Sequence, residues 1–516
     1  SVVSLVDQSK VNMFKRIILL VIVILLSACS TETIRSDKNY VYYEIFVGSF
    51  YDTNEDGMGD LDGVTEKLEY LDDLGVGGIW LMPIHPSPTY HKYDVVDYKD
   101  IDQKYGTLED FDELITKANS YNIDIIIDLV LNHSSSEHPW FIEAKKNVLN
   151  GTCENENSYC DYYVFSTTPQ GKYYPIGKGY YYEALFWDKM PDLNLDNEAV
   201  RNEIKDIVKF WLDKGVKGFR LDAVTSFYNQ NVTKNTEFLT WLDETIHSID
   251  PEAYVVGEAW TTNSTISSLY ESGIDSLFQF SLSQADGLIA SSIRSKNGKN
   301  LADEVVKYNQ LIHESNPDAL NAVFISNHDQ GRSAGYFKSA QVEYQKLMAS
   351  IYLLMPGRSY IYYGEEIGMR GSGKDENKRL AMIWDNNDLT GKTLGPSAAD
   401  YDGEAPIGVK QQASDKSSLY NHYKQLVSLK NTYDVITDGQ YESLDFGSNI
   451  YALKSYDEDE EVIVIHNLSD SESTIEYDFT NYKISAQIFN LSKTNAKLNS
   501  SSLVIQPYNS VILIKK

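Results

Sequence analysis

Several things are scarce in this chain of 516 residues, and each shortage removes a class of explanation. Only three cysteines occur, too few for a disulfide-built scaffold. Basic residues number 45 against 75 acidic ones, a net charge of −30, and no local basic patch interrupts that balance. Such a surface repels phosphate backbones, so nucleic-acid binding is not expected. No apolar run reaches 18 residues, which argues against a multi-span membrane protein, and no short tandem repeat is visible. Aromatic residues, by contrast, are abundant: 38 Tyr, 18 Phe and 7 Trp suit a folded core and flat platforms for neutral, ring-shaped ligands.

The amino terminus reads as an address. Residues 1–12 carry no initiator methionine and are set aside as an overlong reading frame. Met13-Phe-Lys15-Arg16 then precedes ten apolar residues, Ile17 to Leu26, and the small-residue stretch Ser27-Ala28-Cys29-Ser30. These are the three zones of a secretory leader, and residues 1–28 are expected to be removed. Leu26-Ser27-Ala28-Cys29 resembles the lipobox of bacterial lipoproteins, which implies lipidation of Cys29 and anchoring to a membrane outside the cytoplasm. Residues 29–38 then read as a polar tether. In an oxidising compartment the two remaining cysteines, Cys153 and Cys160, are expected to close a local disulfide.

After Tyr40, short β-type runs alternate with longer amphipathic helical patterns, the signature of βα units around a parallel sheet. Eight candidate strands fall at 43–50, 78–84, 123–132, 218–224, 254–260, 276–280, 321–327 and 360–364. Eight is the number that closes a (β/α)8 barrel. An open doubly wound sheet is the alternative, but no glycine-rich phosphate loop follows the first strand. The barrel is expected over 39–132 and 196–430. The stretch 133–195 is too long for an ordinary loop and reads as an inserted domain, holding the cysteine pair and an aromatic cluster of Tyr173, Tyr174, Tyr180, Tyr181, Tyr182, Phe186 and Trp187. Residues 431–516 alternate like antiparallel strands, a C-terminal β-sandwich.

Four polar clusters lie at or just past the carboxyl ends of predicted strands, the face on which barrel enzymes build their sites. They are Asp128-Leu-Val-Leu-Asn132-His133, Phe219-Arg220-Leu221-Asp222, Gly257-Glu258-Ala-Trp260 and Asn327-His328-Asp329. Strand alternation places Arg220 and Asp222 on one side, so Arg220 is expected to depress the Asp222 pKa and keep it anionic. Glu258 follows an apolar run and precedes Trp260, surroundings expected to favour its protonated form. A nucleophilic carboxylate beside a protonated carboxyl is what glycosidic cleavage requires.

In order and content these clusters resemble the motifs of the α-amylase superfamily, glycoside hydrolase family 13. The resemblance implies Asp222 as nucleophile, Glu258 as acid/base and Asp329 as the carboxylate that stabilises the transition state. His133, Arg220 and His328 would line the subsite at the scissile bond, with Tyr93 stacking under that sugar. The early run Asp52-Thr-Asn54-Glu-Asp56-Gly57-Met58-Gly-Asp60 spaces oxygen donors like an EF-hand loop. The resemblance implies Ca2+ there, held by Asp52, Asn54, Asp56, Asp60 and the carbonyl of Met58.

Ala223 after the nucleophile is as in many α-1,4-acting members, whereas α-1,6-specific ones tend to have Val. Thr225-Ser226 replaces a Lys-His pair usual in amylases. Met190-Pro191-Asp192-Leu193-Asn194 resembles the segment of enzymes intermediate between the oligo-1,6-glucosidase and neopullulanase types, and Arg379-Leu-Ala-Met382-Ile-Trp384-Asp385 resembles a segment of oligosaccharide-acting members. The expectation is a retaining α-amylase acting on internal α-1,4 bonds of starch and maltooligosaccharides, as a monomer. An α-1,6-active or transglycosylating relative would use the same carboxylates, and a silent glucan-binding surface lipoprotein is the alternative of another kind.

Overall fold

In a computed structural model, the structure describes residues 40–337, 342–403 and 405–516. The leader, the tether and Cys29 lie outside the described residues.

Eight parallel strands form the barrel: β1 (Val41–Ile45), β2 (Gly78–Leu81), β3 (Asp124–Leu129), β4 (Gly218–Leu221), β5 (Tyr254–Gly257), β6 (Ser276–Leu277), β7 (Ala322–Val323) and β8 (Arg358–Tyr362). Their order is β7-β8-β1-β2-β3-β4-β5-β6, and a parallel bridge between Phe278 and Ala322 brings the two ends together. Each observed strand lies in or overlaps a segment expected from the sequence. The expected segments overshoot because apolar character continues past the last ladder bond into the loops that carry the site.

Side chains fill the barrel interior rather than leaving a pore. Tyr42, Trp80, Ile126, Tyr254, Val256, Phe278, Phe324 and Tyr360 make one buried cluster. Gly78 is dictated by this packing, since a Cβ there would sit 2.3 Å from the Tyr42 ring. Outward-facing apolar residues such as Phe219 and Leu221 join the larger core beneath the helices. Those helices carry side-chain caps: Thr107 and Asp110 form a reciprocal capping box on Leu108–Ser120, and Asn197 caps Glu198–Asp213.

Between β3 and the Glu198–Asp213 helix, the chain builds the helix Pro139–Asn150 and a small antiparallel sheet of Phe165–Ser166, Tyr173–Gly177 and Tyr180–Glu183. Cys153 and Cys160 form a disulfide here, with a Cα separation of 5.7 Å. The aromatic cluster divides: Tyr182 packs on Phe141 in the local core, whereas Phe186 and Trp187 stay 47% and 43% exposed.

The helix Leu419–Thr432 and a short turn to Asp438 lead into the C-terminal sheets. One holds β9 (Gln440–Ser443), β10 (Ile450–Tyr456), β11 (Glu461–Asn467), β13 (Tyr482–Ile488) and β16 (Ser510–Lys515); the other holds β12 (Ser473–Glu476), β14 (Lys497–Leu498) and β15 (Ser502–Ile505). Ile463, Ile465 and Leu513 from the first sheet and Ile475, Leu503 and Ile505 from the second share one core, as a sandwich requires.

Candidate active site

Arg220 is the hub of the site. On β4 it lies between outward-facing Phe219 and Leu221, so its side chain points into the barrel, where it is 1% exposed. Nη1 donates to Asp128 Oδ1 at 2.8 Å and Asp222 Oδ1 at 2.7 Å, and Nη2 donates to Glu258 Oε2 at 2.7 Å. Register explains the first contact, because Asp128 on β3 is the direct neighbour of Arg220. Asp128 Oδ2 accepts from the Trp80 indole at 3.3 Å and the Tyr93 hydroxyl at 3.1 Å. A buried charge cluster survives only when its members are paired in this way.

Asp222 and Glu258 stand one residue past their strands. Their N–H groups still donate across the ladder, to Leu129 O and Leu221 O, so both carboxyls sit at the carboxyl mouth of the barrel. The next residue, Ala223, turns into the left-handed region with φ 48° and aims its N–H at Glu258 Oε2, 3.2 Å away. Strain of this kind is tolerated where surrounding contacts over-determine the backbone.

Burial pushes Glu258 up to about 7, against the opposing pull of Arg220 and with a further rise from Asp222. Asp222 corrects the sequence expectation. Burial is the largest influence and raises it to about 6; Arg220 pulls it down, but Asp128 and Asp329 add to the rise. The guanidinium limits the upward shift without reversing it. Trp260 also departs from expectation, being 54% exposed with its ring stacked on Phe280 at 4.8 Å.

A second network faces the first. His328 Nδ1 pairs with Glu44 Oε1 on β1 at 2.6 Å, and Nε2 lies 2.8 Å from the Tyr93 hydroxyl and 3.2 Å from Asp329 Oδ2. Burial works against charging this imidazole, but Asp329 and Glu44 outweigh it and push His328 up to about 10. Burial likewise tends to raise Asp329, yet His328, Arg379 and Arg220 hold it below the usual carboxylate range. Tyr93 stacks on His328, with ring centroids 5.6 Å apart. His133 is buried, which lowers it to about 4 and keeps it neutral, and Nε2 faces Tyr93 O at 3.2 Å.

Asp222, Glu258, Asp329, Tyr93 and His133 line one cleft of about 290 Å³. Arg220 and His328 lie directly behind them, so every proposed catalytic and sugar-binding residue converges on one place. The same wall includes His91, Phe186, Met190, Ala223, Asp375 and Arg379, which sequence reasoning did not assign to the site. Arg379 pairs with Asp375 Oδ2 at 2.6 Å and approaches Asp329 Oδ1 at 3.6 Å. The spacing of Asp375 and Arg379, one helical turn apart, was the available signal. Where the insert meets β3, Asn132 Nδ2 donates directly to Asp192 Oδ1 at 3.1 Å, and both Asp192 oxygens accept the Leu185 N–H. This seats Phe186 edge-on to His133, 5.4 Å between centroids.

The oxygen-rich loop after β1 lies elsewhere in the chain. It wraps around Asp52, whose carboxylate accepts N–H groups from Asn54 (3.1 Å), Glu55 (2.8 Å) and Gly57 (2.7 Å). Gly57 makes the turn possible at φ 90°. Asn54 and Asp56 each accept the N–H two residues on, while Asp60 caps the next helix at Gly63 and binds Thr53. Among the described residues no group of three or more His, Cys, Asp or Glu side chains forms a metal cluster. The donor set of three carboxylates, an amide and the Met58 carbonyl is nevertheless entirely oxygen, which fits a hard cation such as Ca2+.

Comparison with known proteins agrees with this arrangement. The family description "Alpha amylase, catalytic domain" matches residues 44–439, and "Alpha-amylase SusG C-terminal domain" matches residues 450–512. Alpha-amylase 3 of Dictyoglomus thermophilum is 39% identical over 485 residues, covering 92% of this chain and 93% of its own length. An oligo-1,6-glucosidase of Heyndrickxia coagulans is 30% identical, covering 92% and 98%. Among solved structures, Eubacterium rectale Amy13B superposes with a TM-score of 0.90 at 40% identity, covering 93% of this chain and 96% of that one. The α-amylase from H. orenii gives 0.83 at 35% identity, covering 93% and 100%. A family match spanning most of the chain, over a barrel whose strand ends bring three carboxylates to one cleft, means that this chain belongs to the α-amylase family of glycoside hydrolases, family 13.

Proposed function

We propose that the chain hydrolyses internal α-1,4-glucosidic bonds in starch and maltooligosaccharides by double displacement with retention. The observation that carries this reading is the shared guanidinium: Arg220 holds Asp222 and Glu258 on its two terminal nitrogens, at 2.7 Å each, beside Asp329 in one cleft. In a retaining pair the carboxyls stand about 5–5.5 Å apart, close enough for one to attack the carbon whose oxygen the other protonates.

Glu258, protonated up to about 7, gives its proton to the glycosidic oxygen as Asp222 attacks the anomeric carbon. The bond to the leaving sugar breaks and a glycosyl ester forms on Asp222. Glu258, now ionised, takes a proton from a water whose oxygen bonds to the anomeric carbon as the ester bond to Asp222 breaks, which frees the sugar and restores both groups. Asp329, kept anionic by His328, meets the positive charge that develops on the sugar ring. His133, neutral, and Tyr93 contribute hydrogen bonds and shape.

Ala223 at the cleft and the 39% identity to an α-amylase favour α-1,4 specificity; the 30% identity to an oligo-1,6-glucosidase supports the second reading, α-1,6 or transglycosylating activity. NMR of early digestion products separates them: α-anomers of varied length from soluble starch, with little attack on isomaltose, are expected. Initial β-anomers would overturn the mechanism, and preferential cleavage of isomaltose the bond specificity.

The loop of Asp52, Asn54, Asp56, Met58 and Asp60 would hold Ca2+, which would brace the first βα connection and take no part in the chemistry. The leader-like amino terminus, the lipobox-like segment at Cys29 and the Cys153–Cys160 disulfide support an enzyme anchored by lipid outside the cytoplasm, where it would act as a monomer. Incorporation of labelled fatty acid, lost in Cys29→Ala, tests the anchor.

A further inference from the structure

At the opposite end of the barrel from the cleft, a groove runs between the helix Gly298–Ser315 and the edge of the larger C-terminal sheet. Its position follows from Asp438, which lines it and accepts a hydrogen bond from Tyr40, the residue just before β1. The groove therefore lies toward the amino ends of the barrel strands, whereas Asp222, Glu258 and Asp329 lie at the carboxyl ends. The two sites share no lining residue.

The groove encloses about 440 Å³, a volume in the range of small-molecule sites. One wall is the edge strand β9, whose strand partner is β10 and whose Ser443 hydroxyl donates to Asp303 on the facing helix. Gln440 on β9 stands opposite Tyr456 on β10. Tyr456 is half-buried, no other aromatic ring among the described residues packs on it, and the Lys454 ammonium lies 5.2 Å from its centroid. Tyr441 lines the same space, with its hydroxyl buried beside the Gly439 backbone. The facing helix contributes Gln310 and His313, one turn apart.

This is a wall of phenol rings, amides and an imidazole with the acidic groups Asp438 and Asp457, and the Lys454 ammonium beside Tyr456 is paired with Glu442. Anions are disfavoured on such a surface, all the more in a chain of net charge −30. A neutral polyhydroxylated ring suits it: the apolar face of a sugar lies on an aromatic ring, and its hydroxyls meet flat polar side chains that both donate and accept.

We propose that this groove is a second, non-catalytic binding site for an α-glucan chain, remote from the cleft; the inference rests on the hydrolytic reading above. A polymer that engages here is held at high effective concentration for the cleft, or for neighbouring enzyme molecules on the same particle.

The test uses the full chain carrying Asp222→Asn, which prevents turnover, titrated calorimetrically with maltoheptaose. Two sites per chain are expected. Adding Tyr456→Ala or Gln310→Ala should weaken one of them roughly tenfold and leave the other unchanged, with Tyr456→Phe keeping both. Gln310 is an exposed helix residue, so its replacement keeps the test open if the tyrosine variant misfolds. In the active chain the same two variants should slow digestion of starch granules severalfold while leaving kcat/KM for maltotriose as it was. One-to-one binding that neither variant alters overturns the second site and leaves the hydrolytic reading standing; no binding at all overturns both.

Discussion

Replacing Arg220 tests the site where the charges are most concentrated. The side chain makes three hydrogen bonds to carboxylates, at 2.7, 2.7 and 2.8 Å, two of them fully buried. A hydrogen bond to a charged group is worth about 1.5–3 kcal/mol net, and a lysine ammonium lacks the planar fork that reaches three acceptors at once. If Arg220→Lys keeps one contact of the three, the loss is about 3–6 kcal/mol, comparable with the about 3–5 kcal/mol for stripping a partner from a buried ion pair. Part of that loss falls on folding and part on catalysis, at tenfold in rate for about 1.4 kcal/mol, so with an even split kcat/KM should drop by roughly tenfold to a hundredfold. Arg220→Met separates charge from geometry. Arg220 opposes the upward pull of burial on both Asp222 and Glu258, so without a cation both limbs of the pH profile should move to higher pH. The assays are denaturant unfolding and kcat/KM against pH on a chromogenic maltooligosaccharide. An Arg220→Met enzyme that unfolds at the same denaturant concentration, with unmoved limbs and activity within about threefold of the parent, would refute this account.

Three further outcomes follow from groups already described. In the unmodified enzyme, kcat/KM should rise as Asp222 loses its proton near 6 and fall as Glu258 loses its own near 7, a narrow bell with its maximum between them; a plateau extending well above neutrality would contradict the assignment of the acid. Glu365 is buried among Tyr352, Tyr423 and Ser326, and burial, only partly offset by those hydrogen bonds, raises it from its ordinary 4.5 to about 7. Its protonated form is the one the fold prefers, so its contribution is complete below 4.5 and disappears as pH climbs through 7; relative to wild type, Glu365→Gln should gain roughly 3 kcal/mol in unfolding free energy between about pH 4 and pH 8, and a pH-independent gap would disprove the linkage. Chelation of Ca2+ should lower the melting temperature, calcium should restore it, and Asp56→Ala should abolish the response without moving either pH limb; a chelator-insensitive melting curve removes calcium from the loop after β1.

What could be read from the residues alone was the framework, because strands and helices announce themselves by period and polar side chains at strand ends stand out against apolar runs. Asp222, Glu258, Asp329 and their companions were legible for that reason. The function of Asp128 was not, since its meaning depends on β3 and β4 being neighbours in a register that sets it beside Arg220. The protonation of Asp222 was misjudged because sequence shows the adjacent cation but neither the depth of burial nor the approach of Asp128 and Asp329. Asp375 and Arg379 reach the cleft only after the chain has returned from β8, and their four-residue spacing marks a local ion pair without showing where that return leads. In the insert, aromatic residues of similar sequence context separate into core and cleft roles, as Tyr182 and Phe186 do, according to contacts made elsewhere.

The Glu44–His328 pair joins residues 284 positions apart, and Arg379 closes on Asp329 from still later in the chain. During synthesis, therefore, a ribosome that has delivered the first two-thirds of the protein has made every proposed catalytic carboxylate and assembled no working centre. Contacts of such long range form slowly. Recovery of starch cleavage during refolding should accordingly trail the return of helical circular dichroism, reporting when the ring of strands shuts.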